Sequence, residues 1–291
     1  MQDLIFTQNY KNNDTLRNSF FKLAADTFDI HFEGWYQQGY WGEGYIPFSF
    51  VDGDRVVANA SVNVLELIIH GEKKIAIQIG TVMTHPDYRG RGLSAQLMNK
   101  ILEKYENKCD YMYLFANESV LDFYPKFGFG PVEEHLFSMD FTANQMQSAS
   151  IRKLNVANPD DLSLIQKLSS ERVPVSQHFA THHAQGIFMF YCLNVFSDDI
   201  YYLENENVIV IYQKEDNHID LFDVVSLNET KMKDILQQIA DEDTEKVTFH
   251  FTPDDQGTDL QSSITNEGLF VRTNGENLYP VQVKHPITSI A

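Results

Sequence analysis

The sequence predicts an α+β protein of two domains. Residues 1–145 form one with a mixed, mostly antiparallel sheet, and residues 150–291 form a degenerate α/β copy of the same plan. Three observations carry that prediction. The first is a strand, a basic glycine-rich turn and a helix in immediate succession over residues 79–105. The second is the order of apolar runs around it: helix, sequential strands, helix, strand. The third is the return of that order after residue 150, without the glycine-rich turn.

In chain order, residues 3–7 read as a short strand. Asp14 is placed to cap a helix over 15–27, with Leu16, Phe20, Leu23 and Ala24 on one face. Residues 31–45 hold Phe32, Trp35, Tyr36, Tyr40, Trp41 and Tyr45, interleaved with Gly34, Gly39, Gly42 and Gly44. Aromatics on flexible backbone fit a binding loop or lid, with Trp35, Tyr36 and Trp41 as candidate substrate contacts. They fit equally a loop that buries its rings over the core. Residues 46–51 and 55–67 read as strands joined by the turn Asp52-Gly53-Asp54, and 74–84 as a third after the turn His70-Gly71. Being sequential, these strands are expected to be antiparallel.

The third strand is apolar and β-branched until Pro86 and Asp87 break it. Arg89, Gly90, Arg91 and Gly92 follow, and then Leu93, Leu97, Met98, Ile101, Leu102 and Tyr105 recur at helical spacing, to about residue 107. Residues 111–116 form a strand expected to lie parallel to the 74–84 strand through a right-handed crossover. Ser119 caps a short helix over 120–126 that stops at Gly128. Residues 136–141 are expected to be the last strand of the first domain, and the polar stretch 142–150 a linker. The second half reads as a helix over 160–172, a mostly helical stretch over 177–196, and strands over 200–203, 208–213 and 218–225. A helix over 229–240 and strands over 247–252 and 269–272 complete it.

With 291 residues, 43% hydrophobic and 22% charged, the chain can bury a sizeable core. Acidic residues number 41 against 22 basic, a formal charge of −19. Such a surface argues against nucleic acid as a partner, since phosphate contacts need Lys and Arg. It suits a cationic small molecule or a basic protein, or serves solubility alone. Two cysteines, Cys109 and Cys192, allow no disulfide framework and no cysteine-based zinc site. Residues 1–14 have no apolar signal core and no run reaches membrane-spanning length, so a cytoplasmic location without a membrane partner is expected. Self-association is left open.

A strand, basic turn and helix make an arrangement for capturing an anion. The first amides of a helix lack internal partners, and the helix dipole adds positive character there. Glycines admit a bulky anion to the backbone, and Arg89 and Arg91 add full charges. A phosphate or pyrophosphate is the natural guest. A Walker loop would need Gly-Lys-Ser/Thr, and none follows. A dinucleotide loop is met loosely by Gly90, Gly92 and Ala95, yet it should follow its strand directly, and Asp110 stands before the next strand rather than at its end. A plain strand-to-helix connection with surface arginines is the simplest alternative.

Arg89-x-x-Gly92-x-Ser94 resembles the Q/R-x-x-G-x-G/A loop of the GNAT family of N-acetyltransferases, with Ser94 where that pattern has Gly or Ala. Asn117, followed by Phe123-Tyr124-Pro125-Lys126-Phe127-Gly128-Phe129, resembles the family's N…(F/L)Y-x-K-x-G-F ending. The resemblance covers residues 1–141 and implies a GNAT fold with acetyl-CoA as cosubstrate. It implies that the CoA pyrophosphate sits on Gly90, Arg91, Gly92, Leu93 and Ser94 beside Arg89. The pantetheine arm would run along Val82, Met83 and Thr84, with Asn117 reaching it from the next strand. Tyr124 would protonate or hydrogen-bond the leaving thiolate.

The acceptor implied is an amine, and the function an acetyl transfer by direct attack on the thioester. Many members carry a glutamate where this chain has Gln78, which cannot accept a proton usefully. A non-catalytic acyl-CoA binding or sensing protein is therefore the alternative. Other candidates for the base are a water chain, Glu43, Glu118 or a C-terminal carboxylate at Ala291. The last is the device of the enhanced-intracellular-survival acetyltransferases, whose second domain residues 150–291 resemble. There Leu227-Asn228-Glu229-Thr230 replaces the basic turn, and no tyrosine answers Tyr124, so no second CoA site is expected. An unrelated α+β domain is the alternative for that half. His178, His182 and His183 invite a metal reading, because i and i+4 share a helix face, but no carboxylate or cysteine ligand accompanies them in the sequence, and no metal is expected.

Overall fold

The structure is a computed structural model that describes residues 4–143, 150–254, 260–275 and 277–291. The first half runs β1 (Ile5–Gln8), α1 (Asp14–Phe28), α2 (Glu33–Gln37), β2 (Tyr45–Asp52), β3 (Arg55–Ile69) and β4 (Glu72–Thr84). It continues through α3 (Leu93–Tyr105), β5 (Tyr111–Phe115), β6 (Gly130–Pro131) and β7 (Glu134–Asp140). The second half runs β8 (Ile151–Lys153), α4 (Pro159–Glu171), β9 (Phe179–His182), α5 (Gln185–Asn194), β10 (Ile200–Leu203), β11 (Val208–Glu215) and β12 (His218–Val225). It ends with α6 (Met232–Ile239), β13 (Lys246–Phe249), β14 (Leu260–Thr265) and β15 (Leu269–Thr273).

Two sheets result. The first has the order β1-β2-β3-β4-β5-β15-β6, with β9 added beside β3, and the second has the order β14-β7-β13-β12-β11-β10-β8. Read from β1 and from β8, they follow one plan. In each, the strand after the main helix lies parallel to the strand before it, β5 beside β4 and β13 beside β12. The other pairings are antiparallel. The mixed, mostly antiparallel α+β fold and its second copy are therefore as expected.

Membership of the sheets is not. Of the stretch 136–141, expected to close the first domain, residues 136–140 belong to β7 and lie in the second sheet between β13 and β14. The expected strand at 269–272 belongs to β15 and lies in the first sheet between β5 and β6. Each half thus lends one strand to the other. The free edge of β5 must find backbone partners, and β15 supplies them from Leu269↔Phe115 to Thr273↔Tyr111. Most of the expected linker, residues 144–149, lies outside the described residues.

Smaller differences have local causes. Asn13, not Asp14, caps α1, its side chain accepting from the Leu16 amide. The expected helix over 120–126 is two 3-10 turns, Glu118–Val120 and Tyr124–Phe127, because Pro125 removes a helical donor. The stretch expected to be helical from 177 opens with β9, since β2 covers β3 only up to Asn63 and the edge from Glu66 to Ile69 needs another strand. The exposed, serine-bearing β14 has no apolar alternation to announce it.

Of the four apolar cores among the described residues, three place the helices and the aromatic stretch. α3 buries Leu93, Leu97, Met98 and Ile101 on the first sheet, and α6 buries Ile235, Leu236 and Ile239 on the second. A third core joins the halves: Phe20, Phe32, Trp35 and Trp41 from the first half pack with Ile165 and Phe188 from the second. Among the described residues, no helix is long and apolar enough to cross a membrane.

Candidate active site

β4 and β5 pair from Ala76↔Tyr111 to Ile79↔Leu114 and then part. Beyond that point the β5-facing edge of β4 has no strand partner among the described residues, and a wedge opens between the two. The cause lies on the other side of β4, where the register with β3 slips between Asn59 and Ser61. Thr81 takes a φ of +45° at this bulge, and the Asn59 side-chain amide donates to its carbonyl at 3.0 Å. Val82, Met83 and Thr84 follow along the open edge.

The wedge leads to the glycine-rich turn. His85 and the 3-10 turn Pro86–Tyr88 precede it, and the Tyr88 hydroxyl donates to the Asp52 carboxylate at 2.5 Å. Gly90 and Gly92 adopt φ of +75° and +70°, conformations L side chains rarely adopt, with open space where side chains would stand. Gly92 caps α3, so the amides of Leu93, Ser94 and Ala95 lack helical partners, and the first helical bond runs from the Gln96 amide to the Gly92 carbonyl. Arg89 donates through Nε to the Thr84 carbonyl at 3.2 Å. Arg91 lies over the Tyr88 ring at 4.7 Å and donates to the Asp87 carbonyl at 3.1 Å. Both guanidiniums are thereby held beside the turn. The Ser94 and Thr84 hydroxyls meet at 2.9 Å, so the serine that departs from the family pattern ties α3 to β4 instead of obstructing the turn.

On the far side of the wedge, Asn117 is exposed and leads into the turn Glu118–Val120. Tyr124 is buried, its ring against Phe123 at 5.1 Å and Phe270 at 5.9 Å, in the same core as Leu93 and Ala116. Its hydroxyl has no hydrogen-bond partner among the described residues. Burial pushes its pKa up to about 12.

At the near end of the wedge the chain brings its last residues to β4. Gln78 is fully buried. It donates through Nε2 to the Tyr113 hydroxyl at 2.7 Å and the Ser289 carbonyl at 2.8 Å, and its Oε1 accepts from the Ala291 amide. A Cβ on Gly80 would stand 2.9 Å from the Ala291 carbonyl carbon and oxygen, so only glycine admits this contact. A glycine inside a β-branched strand was the sequence signal for such an approach. Glu43 and Glu118 are both exposed, and neither lines the cleft described next.

That cleft, of about 320 Å³, opens beside Ser289 between β3, α4 and α5. Tyr45 lines it, and the Tyr45 hydroxyl reaches Thr81 at 3.3 Å and Ser61 at 3.0 Å, which joins the cleft to the bulge. Arg172 and Asp223 form its charged wall as a two-pronged pair at 2.9 and 2.6 Å, with Thr288 donating to the same carboxylate at 2.5 Å. The sequence did not mark this pair, because its members lie 51 residues apart.

Of the three aromatic substrate candidates, Trp35 lines the cleft and donates to the Gly186 carbonyl at 2.7 Å. Tyr36 and Trp41 do not line it. Trp41 is 1% exposed and bonded to the Tyr45 carbonyl, and Tyr36 packs on it beneath the Arg17 guanidinium. Apolar burial claimed these two rings.

The wedge, the glycine-rich turn and the bulge sit on a GNAT-type fold. Residues 18–132 match the family described as the acetyltransferase (GNAT) domain. Solved structures extend the likeness over both sheets. A protein from Enterococcus faecalis described as a probable N-acyltransferase is 15% identical with a TM-score of 0.62, over 94% of this chain and 72% of that one. Eis1 from Mycobacterium abscessus is 13% identical with a TM-score of 0.60, over 94% of this chain and 74% of that one. A GCN5-related N-acetyltransferase from Kribbella flavida is 17% identical with a TM-score of 0.56, over 93% of this chain and 72% of that one. Comparison with curated protein sequences gives no match.

Proposed function

We propose that the chain transfers an acetyl group from acetyl-CoA to an amine by direct attack on the thioester. The observation that carries this reading is the wedge between β4 and β5, which joins the basic glycine turn to the cleft beside Ser289. The pyrophosphate would be held by the amides of Gly90, Arg91, Gly92, Leu93 and Ser94, with Arg89 and Arg91 supplying charge. The pantetheine arm would lie along Val82, Met83 and Thr84 as an added strand, with Asn117 across from it. The amine would enter through the cleft.

In the reaction a neutral amine forms the C–N bond as the C–S bond breaks. One proton leaves the amine and the sulfur ends as a thiol. Tyr124, with its pKa near 12, is a neutral phenol at pH 7. A thiol titrates near 8.5, so full proton transfer from the phenol to the thiolate is uphill by roughly three pH units. Tyr124 therefore acts as a hydrogen-bond donor to the sulfur as charge develops there, and solvent delivers the final proton. The amine's proton passes to water in the cleft. Gln78, in the position of the usual glutamate, instead holds residue 291 through the Ala291 amide.

Incubation with acetyl-CoA and a panel of amines, with product read by mass, tests the reading. An acetylated product supports it. Acetyl-CoA binding at one site without turnover of any amine supports the sensing alternative, which Gln78 in the glutamate position favours.

A further inference from the structure

Glu66 on β3 and His182 on β9 are direct partners in the antiparallel register. His183 follows with a φ of +60°, which turns its ring toward the same carboxylate. His182 Nδ1 lies 3.2 Å and His183 Nε2 lies 3.6 Å from one oxygen of Glu66. All three donor atoms lie within 4.8 Å of one another. A tetrahedral zinc ion with bonds of about 2.0–2.1 Å has donors roughly 3.3–3.4 Å apart. Two of the three separations already bracket that value.

The geometry points to a binding site for Zn²⁺, or a transition ion of similar preference, formed by Glu66, His182 and His183 at the mouth of the cleft. Two imidazoles and one carboxylate suit such an ion and not Mg²⁺ or Ca²⁺, which prefer oxygen donors. Three protein ligands leave a further position for water. Solvent reaches the cluster, with His183 62% and Glu66 28% exposed at the side chain. The proton His182 shares with Glu66 moves to its other ring nitrogen or to water when the ion binds. Lys73 stands 3.4 Å from the same Glu66 oxygen and is the competing cation, but its side chain is 61% exposed and free to swing away. The cluster escaped sequence reading because the missing carboxylate comes from 116 residues upstream of His182.

Titration of the whole chain with Zn²⁺, by calorimetry and by competition with a chromophoric chelator, tests the site without reading acyl transfer. One equivalent is expected to bind, with no response to Mg²⁺. Glu66→Gln and His183→Asn should each weaken binding at least tenfold, the asparagine chosen because it tolerates positive φ. Lys73→Gln should tighten it severalfold. His218→Ala, at a histidine 3.7 Å from Asp220 in the second sheet, should change nothing. Unchanged affinity in Glu66→Gln and His183→Asn, or loss of binding in His218→Ala, overturns the assignment.

Discussion

In the first sheet β4 and β5 part after Ile79 and Leu114, and in the second β12 and β13 part after Leu221 and Phe249. The same topology thus opens the same wedge twice. In the second sheet the chain fills it: the Ile287 amide donates to the His250 carbonyl, and the Thr288 hydroxyl to Asp223. These bonds span the diverging ends of β13 and β12. In the first sheet the corresponding edge leads instead to Gly90 and Gly92, two arginines and the bare head of α3. The helix after β12 starts from Lys231 in extended conformation, preceded by Glu229, with no glycine. Under the proposed function, a split parallel pair is a ligand slot only where the chain leaves it open and heads it with the glycine-rich turn. The filled copy has a different use, holding the segment that carries Ser289 and Ala291 to Gln78.

Asp223→Ala strikes that filled copy hardest. The carboxylate is fully buried and takes bonds from Arg172 and Thr288, so its loss leaves Arg172 mostly buried and unpaired. The expected cost is about 3–5 kcal/mol, read as a lower midpoint in denaturant unfolding. An unchanged midpoint would mean that the pair does not anchor the segment.

In the open copy, Tyr124→Phe removes a donor to the developing thiolate and should slow single turnover about 10²-fold or more while leaving acetyl-CoA affinity intact. The ring is retained, so packing on Phe123 and Phe270 survives. A purely structural tyrosine predicts the opposite pattern, a lower melting temperature with a near-normal rate. A rate within about twofold of wild type would remove Tyr124 from the chemistry.

Gly92→Asp should weaken acetyl-CoA binding at least tenfold, about 1.4 kcal/mol, by placing bulk and negative charge where the pyrophosphate is proposed to sit. The variant also strains a position with φ of +70°, so calorimetry must be paired with a check that it folds. Unchanged affinity in the folded variant refutes the loop assignment.

The smallest effect expected is none. Glu229→Gln, at the head of the second sheet's helix, should leave acetyl-CoA binding at one equivalent per chain. A second equivalent, in wild type or variant, would erase the distinction between the two wedges.

Local chemistry was legible. The apolar periodicity of α3, the break at Pro86 and the pair Gly90 and Gly92 mark a strand, an anion turn and a helix from the residues alone, because each depends on neighbours a few positions away. Gln78 announced that the usual glutamate is missing. Which strand joins which sheet was not legible. Backbone pairing is indifferent to side-chain identity, so nothing in the residues of β7 or β15 names the partner across the molecule. The aromatic stretch over 31–45 could have lined a site or filled a core, and only the closing of Phe20, Phe21 and Tyr45 around Trp41 decided that it is core. The pair Arg172 with Asp223, the meeting of Glu66 with His182 and His183, and the path of Ala291 to Gly80 likewise belong to the tertiary structure. Each joins residues that sequence keeps far apart, and long-range pairing leaves no local period to read.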